Sequence, residues 1–138
     1  MDDFEIKLTD DEWRDRLTPA QFAVLRQAAT EPAFTGELLA VDEAGTFRCA
    51  GCGTELFTQD QKFDSHCGWP SFDDEAGTVL KRPDHTHGMV RTEILCGTCG
   101  GHLGHLFDDG PTATGLRYCV NSLSLTFEPA DDAATAGT

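Results

Sequence analysis

Short alternating segments from Gly36 onward, with turns rich in Gly, Asp and Pro between them, predict a mainly β, antiparallel domain. Two Cys-x-x-Cys knuckles within it predict that a four-cysteine metal site staples it together. Helix-capping signals before residue 36 add a short helical N-terminal arm. The 138 residues suit one domain, divided into an arm at 1–35, a β region at 36–129 and a small polar tail at 130–138 that reads as disordered. With 39% hydrophobic residues the core is modest, so the loops need tying down.

Within the arm, Thr9 followed by Asp10, Asp11 and Glu12 is a capping box, with Trp13 and Leu17 on one face. Thr18-Pro19-Ala20-Gln21 repeats the device with Pro at the first helical position. Phe22, Leu25 and Ala29 then make an apolar stripe suited to lie against a sheet. No chemistry is evident in this segment. Glu37–Val41, a turn over 42–45, and Thr46–Cys49 read as a hairpin. Thr78–Leu80, Gly88–Leu95, Leu103–Phe107 and Arg117–Glu128 are the further strands, with Asp108-Asp109-Gly110-Pro111 as a turn. In the last strand, alternation puts Arg117, Cys119, Asn121, Leu123, Leu125 and Phe127 on one face. Tyr118, Val120, Ser122, Ser124 and Thr126 fall on the other. One end of the first face is chemically capable and the other is apolar.

Ten Lys and Arg stand against 24 Asp and Glu, a net charge of −14. Such a field repels phosphate backbones, so nucleic-acid binding is disfavoured, and partners with a basic or neutral docking face are favoured. No apolar run approaches the roughly 20 residues that span a bilayer. Met1-Asp2-Asp3-Phe4-Glu5 lacks the positive start and apolar stretch of a signal peptide. A cytoplasmic protein without a membrane role is expected, and a monomer. Six cysteines in a reducing compartment read as metal ligands or redox thiols, not a disulfide framework.

Cys49-Ala50-Gly51-Cys52 and Cys96-Gly97-Thr98-Cys99 each place two thiolates on a tight turn, and together they supply a tetrahedral zinc site. Four thiolates leave no open position, which makes the metal structural. The rival reading, a redox-active Cys-x-x-Cys, accounts for one pair but not economically for two. A zinc deaminase is set aside, because there is no His-x-Glu and Leu95 precedes Cys96 where Pro is wanted.

Cys67 and Cys119 remain. Cys119 reads either as a core thiol or as a nucleophile helped by Arg117 charge and an Asn121 donor. Cys67 lies in the Gly- and Pro-bearing loop Asp64-Ser65-His66-Cys67-Gly68-Trp69-Pro70-Ser71-Phe72. A strand thiol and a loop thiol suit an attacking and resolving pair. His102 and His105, close after the second knuckle, are free for proton transfer if sulfur satisfies the metal. The plain alternative for both is ligation or structural hydrogen bonding. Trp69 reads as core or as the wall of an apolar pocket. His85 and His87 are loop residues with no assigned role. A zinc-stapled β domain can also be a non-catalytic binding module, but such a module needs neither Cys119 nor the two histidines.

The motifs Cys49-x-x-Cys52, Lys62-Phe63-Asp64-Ser65-x-Cys67-Gly68-Trp69-Pro70-Ser71-Phe72, Cys96-x-x-Cys99, His102-Leu103-Gly104-His105 and Gly115-x-Arg117-Tyr118-Cys119-Val120-Asn121-Ser122 together resemble the methionine sulfoxide reductase B family, from about Leu17 to Pro129. The resemblance implies two antiparallel sheets around structural zinc, Cys119 as nucleophile and Cys67 as resolving cysteine. It implies active-site positions for His102, His105, Arg117 and Asn121, and a Trp69 that receives the substrate methyl. It further implies reduction of R-epimer methionine sulfoxide, in proteins or free, and recycling by thioredoxin or a similar dithiol. His66 departs from the glycine common in the family, a difference that bears on the flexibility of the resolving loop.

Overall fold

The computed structural model describes residues 6–39, 41, 43–65, 67–85 and 88–130. The expectations for residues 1–5, His66, His87 and the tail at 131–138 lie outside them. Helices α1 (Asp10–Arg16) and α2 (Pro19–Gln27) start where the capping signals stand. Thr9 Oγ1 accepts the Glu12 amide at 3.2 Å while Glu12 Oε1 accepts the Thr9 amide at 2.8 Å. Thr18 and Gln21 make the same exchange at 3.1 and 2.9 Å. Each box satisfies two amides that a helix start would otherwise leave unpaired. The arm is less helical than its sequence suggests. Ala28 turns into the left-handed region at φ 58°, so Ala29 stands outside α2, and Val24 joins Phe22 and Leu25 in the buried set.

The described strands are β1 (Gly45–Cys49), β2 (Glu55–Thr58), β3 (Lys62–Phe63), β4 (Ser71–Phe72), β5 (Val79–Asp84), β6 (Arg91–Cys96), β7 (His102–Phe107), β8 (Arg117–Val120) and β9 (Leu125–Pro129). They form two antiparallel sheets, one ordered β2-β1-β9 and one ordered β3-β4-β8-β7-β6-β5. Aromatic rings join the sheets. Phe47 and Phe57 of the small sheet meet Phe72 and Tyr118 of the large one, Phe57 stacking on Phe72 at 4.3 Å and Phe47 meeting it edge-on at 5.0 Å. Phe47, Phe57 and Phe72 are fully buried, each contributing about 2 kcal/mol of transfer free energy. No helix among the described residues is long and apolar enough to cross a membrane.

Two sequence expectations are corrected. The hairpin of 37–41 with 46–49 does not form. Residues 37–39 turn, the Leu38 amide donates to Ser122 Oγ at 2.7 Å, and β1 has its two edges taken by β2 and β9. Ala40 and Asp42, also part of that hairpin, lie outside the described residues. The strand 117–128 is in fact two strands in different sheets, separated at Asn121 by a 3-10 turn over Ser122–Ser124. The Asn121 amide and its Nδ2 both donate to the Leu103 carbonyl, at 2.8 and 3.0 Å, and Ser124 Oγ donates to the His102 carbonyl at 2.8 Å. These bonds replace ladder pairing and turn the chain across to the other sheet. Leu123, Leu125 and Phe127 therefore do not continue the face of Cys119; Leu125 and Phe127 pair with Cys49 and Phe47 on β1.

Candidate active site and metal centre

The two knuckles are at the turns of two hairpins in different sheets: Cys49 ends β1 and Cys52 follows it in the turn to β2, and Cys96 ends β6 and Cys99 follows it in the turn to β7. Their four Sγ atoms lie within 4.8 Å of one another, with Cys49–Cys99 at 3.7 Å and Cys52–Cys96 at 3.6 Å. A tetrahedron with metal–sulfur bonds of about 2.3 Å has edges of about 3.8 Å, so the spacing fits a four-thiolate metal and the cluster can hold one. Hydrogen bonding among the four sulfurs pushes Cys49 far up and holds Cys52 far down, with Cys96 at about 7. Four thiolates need a cation between them. The helical arm roofs the site. A Cβ on Gly51 would stand 3.1 Å from the Trp13 ring, and Arg26 lies 4.5 Å over that ring while donating to the Cys99 carbonyl at 3.0 Å.

On the large sheet, register sets Ser71 opposite Cys119, Cys119 opposite His105, His105 opposite Glu93, and Glu93 opposite Arg82. One irregularity widens this row. Between Ile94 and Leu95 the β6–β7 register shifts, so Leu103 is an extra residue and its carbonyl leaves the ladder for Asn121. A bulge lets residues three apart face the same side, which is how His102 joins His105. His102 Nδ1 meets Glu93 Oε2 at 2.7 Å, and Arg82 donates to Glu93 Oε1 at 3.0 Å. His105 Nε2 meets Asp84 Oδ2 at 2.7 Å, with Arg91 at 3.6 Å from the same oxygen.

Hydrogen bonds from His102 and Arg82 hold the Glu93 carboxyl below the usual carboxylate range, against the effect of burial. Burial pulls His105 below the ordinary imidazole value although Asp84 opposes it, so the ring is neutral at pH 7. Asp84 and Glu93 orient the imidazoles, and the sequence reading missed both. Glu93 was legible as a charge two residues from Arg91 on a strand with apolar neighbours; Asp84 depends on a register that no local signal reports.

Trp69, Arg91, His105, Phe107, Cys119 and Asn121 line a cavity of about 110 Å³. The Trp69 indole is fixed by donating to the Glu31 carbonyl at 2.9 Å. Asn121 accepts the Glu31 amide at 2.9 Å, so its amide is occupied in tying the loop around Glu31 to β8. His102 is buried beside the cavity rather than in its wall, and its Nε2 has no hydrogen-bond partner. Arg117 stands outside it. Its guanidinium grips Asp109 through two bonds of 2.8 and 3.1 Å and stacks at 4.3 Å on Phe107. Arg117 and Cys67 instead line a second cavity of about 420 Å³ with Phe63, Asp64 and Asp109.

The two free thiols meet, with Cys67 Sγ 3.7 Å from Cys119 Sγ. The loop carrying Cys67 runs straight into β4, the neighbour of β8, so the two sulfurs face each other without rearrangement. Gly68 permits this at φ 99°, where a Cβ would strike Ala33 at 2.6 Å. Burial and the neighbouring Cys67 sulfur push the Cys119 thiol up to about 12, although Arg117 pulls the other way. Burial alone would raise Cys67 too, but hydrogen bonds from Ser65 and Ser71 bring it below the ordinary thiol value. Of the two thiols, Cys67 is therefore the one that ionises first.

Gly104 is the other glycine the site requires. A Cβ there would lie 1.9 Å from the Cys119 carbonyl, so Gly104→Ala should force β7 from β8. We expect a loss of about 1–3 kcal/mol and a thermal midpoint lower by several degrees, read by calorimetry. An unchanged midpoint would show that the strands can part without cost.

A model of the SelR domain matches residues 17–129. The peptide methionine sulfoxide reductase MsrB of Leptospira interrogans serogroup Icterohaemorrhagiae serovar Lai is 54% identical over 127 residues, covering 91% of this chain and 97% of its own. The protein of the same name from Bradyrhizobium diazoefficiens is 54% identical over 138 residues, covering 94% and 99%, and that of Leifsonia xyli subsp. xyli is 53% identical over 135 residues, covering 94% and 96%. With a domain match across most of its length and relatives aligned nearly end to end, the chain belongs to the SelR domain family, that of the methionine sulfoxide reductase B proteins.

Proposed function

We propose that this chain is a thiol-dependent peptide-methionine (R)-S-oxide reductase, returning methionine-R-sulfoxide in oxidised proteins, and free where it fits the cavity, to methionine. The observation that carries the reading is the 3.7 Å contact of Cys67 and Cys119, with Cys119 at the wall of an aromatic cavity that also holds His105. The names of the relatives support the substrate class.

The sulfoxide methyl rests against Trp69, and Cys119 sulfur bonds to the sulfoxide sulfur. Cys119 holds its proton at rest, so the proton it gives up balances the one the oxygen takes, passed through His105 with His102 behind it. The oxygen then passes to Cys119, a Cys119 S–O bond forming as the substrate S–O bond and the transient S–S bond break. The substrate sulfur is thereby reduced to methionine and Cys119 is oxidised to a sulfenic acid. Cys67 then displaces that oxygen as water and forms a Cys67–Cys119 disulfide. Thioredoxin or a like dithiol reduces it by exchange. Arg117 lends positive charge beside the two sulfurs, and Asn121 braces the turn after Cys119. Zinc on Cys49, Cys52, Cys96 and Cys99 would have a structural part, joining the sheets that carry the site. Free thiols of this kind suit the reducing cytoplasm.

A single-turnover assay on the separate sulfoxide epimers tests the reading. The R epimer should consume two thiols per chain, at Cys67 and Cys119, and the S epimer none. Thiol counts unchanged by either epimer would overturn the proposal. Cys67→Ser should complete the first turnover and then stop, with thioredoxin unable to restart it at the wild-type rate.

A further inference from the structure

The resolving cysteine is embedded in a small hydroxyl network. Ser65 Oγ donates to Cys67 Sγ at 2.9 Å, and Ser71 Oγ lies 2.7 Å from Ser65 Oγ. The Cys67 amide donates back to Ser65 Oγ at 3.3 Å. With Ser71 and the Cys67 amide donating to it, Ser65 keeps its single proton for the Cys67 sulfur. Ser71 Oγ is also 3.2 Å from the Trp69 carbonyl and 3.5 Å from Cys67 Sγ, longer contacts than the 2.7 Å to Ser65. Ser71 is 1% exposed and stands opposite Cys119 in the β4–β8 register, so the network is anchored to the strand that carries the other thiol.

Resting on the reductase reading above, we propose that Ser65, backed by Ser71, is the positioning residue of the resolving step: its hydroxyl holds the Cys67 sulfur ionised and aimed at Cys119. The thiolate attacks the sulfenic sulfur, the new S–S bond forms as the S–O bond breaks, and hydroxide leaves to take a proton from solvent. Cys67 is oxidised and the sulfenic sulfur reduced, so the step needs no other reactant. The fall of the Cys67 thiol below its ordinary value agrees with this arrangement. Among the described residues, the other charged or titratable groups about Cys67 are Cys119, Arg117, Asp109 and Asp64. Arg117 adds favourable charge from β8 but already binds Asp109, and the two carboxylates oppose ionisation. That leaves Ser65 as the close donor.

The test is the pH dependence of Cys67 alkylation by iodoacetamide, mapped by peptide mass spectrometry on reduced, metal-replete Cys119→Ser protein with and without Ser65→Ala. Ser65→Ala should move the midpoint up by about one pH unit, the loss of one hydrogen bond to a charged group, and Ser65→Thr should restore it. With Cys119 present, Ser65→Ala should slow disulfide formation on the order of tenfold, so that dimedone traps the Cys119 sulfenic acid. Coincident alkylation midpoints, or a Ser65→Thr protein that behaves like Ser65→Ala, overturn the proposal. If Ser65→Ala does not fold, the Cys119→Ser protein alone decides: a Cys67 midpoint at or above that of an ordinary thiol overturns it. Alkylation needs no sulfoxide. If the sulfoxide consumes no thiol even in the wild-type protein, the reductase reading fails, and the alkylation arm still reports on Ser65.

Discussion

Cys119→Ser should abolish methionine sulfoxide reduction, with methionine release falling at least about 10⁴-fold, because the variant lacks the one thiol among the described residues lining the cavity. The hydroxyl is a far poorer nucleophile toward the sulfoxide sulfur. Cys119 is half-buried at the cavity and stands outside the buried apolar cluster, so the fold should survive. Released methionine, measured by chromatography after one turnover, is the readout, and a residual rate within tenfold of wild type would sink the assignment. The wild-type protein offers a companion measurement. The Cys119 thiol is raised and the Cys67 thiol lowered, so Cys67 carries the larger thiolate fraction and iodoacetamide should label it before Cys119. The slow reaction of the nucleophile at rest reflects its burial, and proton loss is then tied to oxygen departure in the reaction.

Removing the metal should have the largest effect on the fold. A strong chelator, or Cys96→Ser, should cost on the order of 10 kcal/mol of folding free energy, more than a domain of this size has in reserve. The reason is topological. The cluster joins the β1–β2 turn of the small sheet to the β6–β7 turn of the large one, and β7 carries both histidines. Loss of the metal should therefore remove the cooperative thermal transition and the activity together, measured by circular dichroism and by metal analysis. We expect one zinc per chain. Freshly purified protein that is metal-free and still melts cooperatively would rule out the four-thiolate clamp.

Both helix starts were legible because a capping box is local: Thr9 with Glu12 and Thr18 with Gln21 satisfy each other within one turn. The metal set was legible because Cys-x-x-Cys spacing confines two ligands to one turn. The sequence motifs, matched together, point to the family without any tertiary information. What local pattern could not decide was where a strand ends when its continuation joins another sheet. From Arg117 to Phe127 the alternation is unbroken in sequence, yet Asn121 spends its amide on Leu103 and the chain crosses over. That bond exists only because a bulge in β7, 18 residues away, has freed a carbonyl. The same bulge brings His102 and His105 to one face, and register then supplies Glu93 and Asp84, which no spacing announces. The helix starts and the four-cysteine set were thus legible in the sequence alone, because their signals lie within a turn. The thiol contact, the oriented imidazoles and the order in which the two thiols ionise were decided by tertiary structure, because each depends on how strands distant in sequence align and on how deeply they bury a sulfur.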